Sequence, residues 1–172
     1  YWPTMLMSIG LDLPKTIFAH GWWLNKDSKM SKSVGTVITP LDLIDEFDED
    51  SLRFFLMRDM KLGQDSNFSE ESFITRYNSD LANDLGNLLS RITNLINKFF
   101  GGKLSSEFDK SSKGKLVQAE SSKLISFTNE CFSKMKINEA IDNSMNCIKS
   151  INKYIESMAP WKLVKTDIAA AS

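Results

Sequence analysis

Lys29-Met30-Ser31-Lys32-Ser33 places two ammonium groups three positions apart with hydroxyls around them, and Val34-Gly35 follows directly. Lysines supply point charges, serines supply hydrogen bonds, and Gly35 lets the backbone bend. Such a loop suits a polyphosphate, and where pyrophosphate departs it stabilises the charge developing on the leaving group. Taken alone, the same five residues also describe a solvated basic turn. A second constellation lies further on. Asn87 and Arg91 are spaced i, i+4 and share a helix face, and Asn94 and Lys98 continue that polar stripe. An exposed polar helix face uses the same residues.

The elements that must position these groups fall into two regimes that change near residue 60. The first is punctuated by Pro3, Gly10, Pro14, Gly21, Gly35 and Pro40. It contains β-prone runs at Thr16–His20 and Trp22–Asn25, followed by turn chemistry in Asn25-Lys26-Asp27-Ser28. Thr39-Pro40 predicts a helix start, with a hydroxyl at the N-cap and proline at N1. Asp48-Glu49-Asp50 predicts another, running from Ser51 to about Met60. The second regime reads as almost entirely helical. Asn67 or Ser69 is expected to cap a helix whose apolar stripe is Phe73, Tyr77, Leu81, Leu85, Leu88, Ile92, Leu95 and Phe99, stopped by Gly101-Gly102. A Ser/Lys-rich connection to about Gly114 precedes two more helices, Leu116 to about Met135 and Asn138 to Met158. Three amphipathic helices predict a bundle in which each hides one stripe against the others.

Composition narrows the classes. With 172 residues, 42% of them hydrophobic and 25% charged, a folded core is expected and wholesale disorder is not. The net charge of −1 announces no nucleic-acid partner, although residues 1–60 carry six basic and nine acidic side chains and the remainder fifteen and thirteen. Cys131, Cys147 and His20 are too few for a structural zinc site, which takes about four Cys/His ligands, so no metal ligands are assigned. The two cysteines read as buried thiols rather than a disulfide. No apolar run approaches the roughly 20 residues of a membrane span, and nothing resembles a secretory leader, so a cytoplasmic location is expected. The start at Tyr1-Trp2-Pro3 reads as a cut inside a longer protein.

Ala19-His20-Gly21-Trp22-Trp23-Leu24, a short turn, and Lys29-Met30-Ser31-Lys32-Ser33-Val34-Gly35-Thr36 together resemble the nucleotide-binding loop of class I aminoacyl-tRNA synthetases. Trp2-Pro3, Asp50-Ser51-Leu52-Arg53, Phe68-Ser69-Glu70-Glu71-Ser72-Phe73, Arg76-Tyr77-Asn78 and Asp80-Leu81-Ala82-Asn83 make the resemblance one to methionyl-tRNA synthetases, over about residues 1–165. It implies a mainly α fold. Residues 1–60 would be the end of a Rossmann-type α/β catalytic domain with the loop and connecting helices, and 61–172 a helical-bundle anticodon-binding domain. It implies that Lys32 stabilises the transition state of adenylate formation, with Lys29, Ser31 and Ser33 on ATP and His20 near the adenylate. Thr36 departs from the asparagine common there. Gly86-Asn87-Leu88-Leu89-Ser90-Arg91 matches the family's Gly-Asn-Leu-x-x-Arg, and Ala159-Pro160-Trp161 its Ala-Pro-Trp, so Asn87, Arg91, Pro160 and Trp161 would meet the anticodon loop of tRNA(Met).

The implied partners of the whole enzyme are methionine, ATP with Mg2+, and tRNA(Met). Any zinc would be held upstream of Tyr1. No His-Ile-Gly-His-type element occurs, and His20 is the single histidine. A loop lysine without that element lacks the preorganised geometry adenylate formation needs, so the chain alone is expected to be inactive. Two alternatives stay open at this stage: a fragment of another class I synthetase, and a helical protein–protein module that binds no RNA. Oligomeric state is not read from the sequence.

Overall fold

The computed structural model describes residues 1–25, 28–29, 39–103 and 111–165, with backbone alone at 28 and 29. Among the described residues the fold is mainly helical, with one small sheet.

Helix α1 (Trp2–Ser8) takes Pro3 in its first turn, a position that needs no N–H partner. This helix was not anticipated. Nor does the run Thr16–His20 form a strand: Ile17 and Phe18 stand exposed, and the run pairs with no strand among the described residues. β propensity without a partner leaves the backbone hydrogen bonds unmade.

The second β-prone run does form a strand, β1 (Trp23–Asn25). It pairs antiparallel with β2 (Ser28–Lys29), Asn25 opposite Ser28, bracketing the expected turn. On its other edge lies β3 (Ser66–Phe68), parallel, with Trp23 opposite Ser66. The entry to that pairing is tight. The Trp22 N–H donates to Asp65 Oδ1 at 2.7 Å, and a Cβ at Gly21 would lie 1.9 Å from the Gln64 carbonyl oxygen.

Helices α2 (Pro40–Glu46) and α3 (Glu49–Asp59) lie between these strands in sequence. Pro40 opens α2 as expected, but the Thr39 hydroxyl makes no capping bond. Asp48 caps α3 through the Ser51 N–H, so the helix begins two residues before Ser51. The core gathers Leu43, Leu52 and Phe55 with Phe68 and Phe73, and Trp23, Ile44, Phe47 and Leu56 pack around it. Its side chains come from both sides of residue 60. Phe55 and Phe73, each 1% exposed, meet edge to face with centroids 5.4 Å apart.

The long stripe predicted from Phe73 to Phe99 is not one α-helix. It is α4 (Glu70–Arg76), a π-helical segment (Tyr77–Gly86) and α5 (Asn87–Phe100). Ser69 caps the start through the Ser72 N–H, and Gly101 ends it in the left-handed conformation at φ 58°. Phe73 and Leu88 are buried, whereas Leu85 is 42% exposed.

Helix α6 runs Ser112–Ser133, capped by Ser111, so residues 112–114 join the helix instead of the expected connection. Cys131 is buried on it, but Phe127 is 36% exposed, and Met135 lies beyond the helix end at φ 57°. Helix α7 (Ile137–Met158) packs along α6 and also against α3 and the π segment, making it the hub of the helical part. Both cysteines are free thiols.

Charge pairs lock α3 to that hub. The Arg58 side chain, 10% exposed, bonds Asp80 of the π segment at 3.3 Å and also Asp142 of α7. Arg76 pairs with Asp59 at 3.0 Å and reaches the same Asp80 at 3.7 Å. Buried charges persist only when paired in this way.

Candidate functional site

Helix α7 stops at Ala159, a non-glycine residue in the left-handed region at φ 45°, ψ 56°. That conformation costs an L-residue energy, and the following Pro160 disfavours it further. Its effect is a sharp turn after which Pro160 starts α8 (Pro160–Leu163). Trp161, in the first turn of α8, lies against the Arg91 guanidinium, whose carbon is 5.2 Å from the indole centroid. This is cation–π contact between residues of α5 and α8.

Arg91 and Trp161 are each half-buried, while Asn87, one turn before Arg91, is exposed. The structure thus gathers the aromatic face and the guanidinium plane in one place, with an amide on the same helix face. Pro160 is half-buried at the turn beneath them. Along the rest of the stripe, the Asn94 amide donates to Ser90 Oγ at 3.3 Å, and the Lys98 ammonium lies 5.3 Å from the Phe99 ring.

Gly86, the first residue of the Gly-Asn-Leu-x-x-Arg match, closes the π segment. A Cβ there would come within 3.0 Å of the Leu81 carbonyl oxygen. The Asn87 N–H is shared between the carbonyls of Ala82 and Asp84, so the helical ladder changes register at the residue that opens the polar face. Asp84 is held from α7: Asn152 Nδ2 donates to its carbonyl oxygen at 3.0 Å, and Lys149 lies 3.5 Å from its carboxylate. Sequence reading missed these anchors, and also Arg58 and Asp80. Asp80 fell within a motif quoted for its resemblance, but nothing in its spacing showed that it is 2% exposed.

At the other candidate site, Lys29 has its backbone in β2 opposite Leu24. Ser31, Lys32 and Ser33 lie outside the described residues. His20 is exposed, and its Nδ1 lies 2.7 Å from the Gly21 carbonyl oxygen. That contact makes Nδ1 the donor and leaves Nε2 of a neutral ring as the acceptor.

Among the described residues no three His, Cys, Asp or Glu side chains come together as metal ligands, and no helix is long and apolar enough to cross a membrane. Burial pushes the Cys131 thiol up, away from thiolate chemistry.

Residues 1–93 match the family described as tRNA synthetases class I (M), and the chain belongs to that family. Proteins similar to it include methionine–tRNA ligases. The chain is 45% identical over 172 residues to the methionine–tRNA ligase of Lactococcus lactis, covering 97% of this chain and 25% of that protein. To the ligase of Bacillus subtilis it is 42% identical over 171 residues, covering 96% and 25%. Its fold resembles Mycobacterium tuberculosis methionyl-tRNA synthetase in complex with methionyl-adenylate, with a TM-score of 0.91 and 35% identity over 99% of this chain and 34% of that one. The chain spans about a quarter of the length of these curated relatives.

Proposed function

We propose that this chain is the part of a methionyl-tRNA synthetase that reads the tRNA anticodon and carries the ATP loop. In the whole cytoplasmic enzyme, methionine and ATP give methionyl-adenylate and pyrophosphate, and the methionyl group then passes to tRNA(Met). Residues 1–60 are read as the end of a Rossmann-type catalytic domain, and 61–172 as the anticodon-binding domain. Lys32 acts on the transition state of adenylate formation. Lys29, Ser31 and Ser33 hold ATP, with its Mg2+, and His20 lies near the adenylate.

The observation that carries the reading is the Arg91–Trp161 contact at 5.2 Å beside exposed Asn87. With the guanidinium over one indole face, the opposite indole face is left as a surface for an unstacked base, and Asn87 offers both donor and acceptor to a base edge. Three aimed side chains reconcile RNA recognition with a net charge of −1.

The test is a titration of a labelled stem-loop carrying the methionine triplet against one with a scrambled loop. The matched loop is expected to bind more tightly by about 1–3 kcal/mol per base read, and Trp161→Ala is expected to remove most of that preference. Equal binding of both loops, unchanged in Trp161→Ala, would overturn the reading in favour of a helical interaction module. ATP–pyrophosphate exchange by the chain alone is expected at background, and methionine-dependent turnover would overturn that part.

A further inference from the structure

We infer that Asn152 is a positioning residue for anticodon recognition: through the Asp84 carbonyl it fixes the rotation at which Asn87 and Arg91 face Trp161. The inference rests on the reading of those three residues given above.

Three observations carry it. First, the polar face begins where the helical ladder changes. A π ladder, bonded i to i+5, turns less per residue than an α-helix. Ten residues of it, Tyr77–Gly86, therefore set the direction of every side chain that follows. The residue at which the wider ladder gives way decides where Asn87 and Arg91 point. Second, Asp84, whose carbonyl takes part in that changeover, is clamped from outside the helix. The Asp84 carbonyl accepts the Asn87 N–H and, at 3.0 Å, the Asn152 side-chain amide from 68 positions away, while Lys149, one turn earlier on α7, lies 3.5 Å from the Asp84 carboxylate. Third, the same helix that supplies the clamp ends in the Ala159 turn that sets Trp161. One rigid element thus places both halves of the Arg91–Trp161 contact.

The hydrogen-bond balance at Asn152 argues against a role in stability alone. Its Oδ1 is buried with no hydrogen-bond partner among the described residues, which cancels much of what the Nδ2 bond contributes. Replacing Asn152 by an apolar side chain removes an unsatisfied acceptor, and the Asp84 carbonyl keeps the Asn87 N–H. Folding is therefore largely spared while the clamp is released.

The experiment measures binding of stem-loops with the matched and an altered triplet to the 172-residue chain and to Asn152→Ala, Asn152→Leu and Lys149→Ala, each also in an Arg91→Ala background. Urea midpoints are recorded alongside. The expected result is about a tenfold loss of matched-loop affinity for the Asn152 variants, the worth of one positioning hydrogen bond. A smaller loss is expected for Lys149→Ala, with urea midpoints close to the parent and little further loss once Arg91 is already alanine. If Asn152→Ala does not fold, Asn152→Leu and Lys149→Ala decide. Parent-like affinity in the folded variants would overturn the inference while leaving the anticodon reading intact. So would a tenfold loss that persists undiminished in the Arg91→Ala background, since Asn152 would then act without Arg91. A parent chain with no preference for the matched triplet would overturn the anticodon reading itself, and the inference with it.

Discussion

Arg58 and Asp80 meet at 3.3 Å with side chains 10% and 3% exposed, and their contact ties α3, the helix that precedes β3, to the π segment that leads into the polar face. The Ser79 hydroxyl also donates to Asp80 at 3.0 Å and the Arg76 guanidinium lies 3.7 Å away, so its carboxylate accepts two hydrogen bonds and faces a second cation. Removing one partner of such a pair leaves an uncompensated buried charge.

Asp80→Asn is accordingly expected to destabilise the chain by about 3 kcal/mol, the low end for a buried pair because Arg58 keeps Asp142. Urea unfolding followed by circular dichroism checks this. A midpoint equal to the parent's would show that the network contributes nothing.

Gly21→Ala drives a methyl group into the Gln64 carbonyl, 1.9 Å from the ideal Cβ position, and backbone cannot swing aside as a long side chain can. The variant is expected to lose about 1–3 kcal/mol, as for an overpacked core, and to shift the fluorescence of Trp23, which stacks on Phe55 at 5.9 Å.

Asp48 accepts the Ser51 N–H at 2.7 Å and the Ser51 hydroxyl at 2.8 Å. The backbone bond, followed by the hydroxyl, holds its carboxyl below the usual carboxylate range. The folded value lies below the unfolded one, so the contribution is full above the unfolded pKa of about 3.9 and is lost as pH falls through the folded value. Asp48→Ala is expected to be less stable than the parent at neutral pH, with the two curves converging in acid. Urea midpoints measured from neutral to strongly acidic pH test this, and parallel curves would refute it.

Arg91→Lys keeps the charge and loses the plane. Stability is expected to change by no more than about 1 kcal/mol, the scale of one cation–π contact, while affinity for the matched stem-loop falls by roughly 1 kcal/mol or more. Equal affinity would mean that charge alone matters at this position.

Most of the helices, though not α1 or α8, were legible because their signals are local. Ser69 and Gly101 act within a few residues of their own positions, and apolar spacing reports a buried face directly. Strand β3 was not legible, since Ser66-Asn67-Phe68 is too short to show alternation and owes its form to a partner 43 positions away. The π segment was hidden because its side chains keep a nearly helical spacing, and only the hydrogen-bond ladder distinguishes it. At the site, residue types and the family resemblance pointed to Asn87, Arg91 and Trp161. What they did not give was the contact between Arg91 and Trp161, because the turn that makes it depends on Ala159 adopting a conformation alanine ordinarily avoids. Asn152 carried no signal in the sequence. Its meaning lies in a bond to a backbone atom, which carries no residue identity to be recognised.

The parallel register of β1 and β3 also bears on how the chain is made. The edge that receives β3 is exposed from the moment β1 leaves the ribosome, while β2 covers the opposite edge almost at once. Translation at about 5–20 residues per second leaves that edge open for a few seconds until Ser66–Phe68 emerges. Helices α2 and α3 are synthesised within this interval, and in the folded chain Trp23 packs against the core to which their Leu43, Leu52 and Phe55 belong.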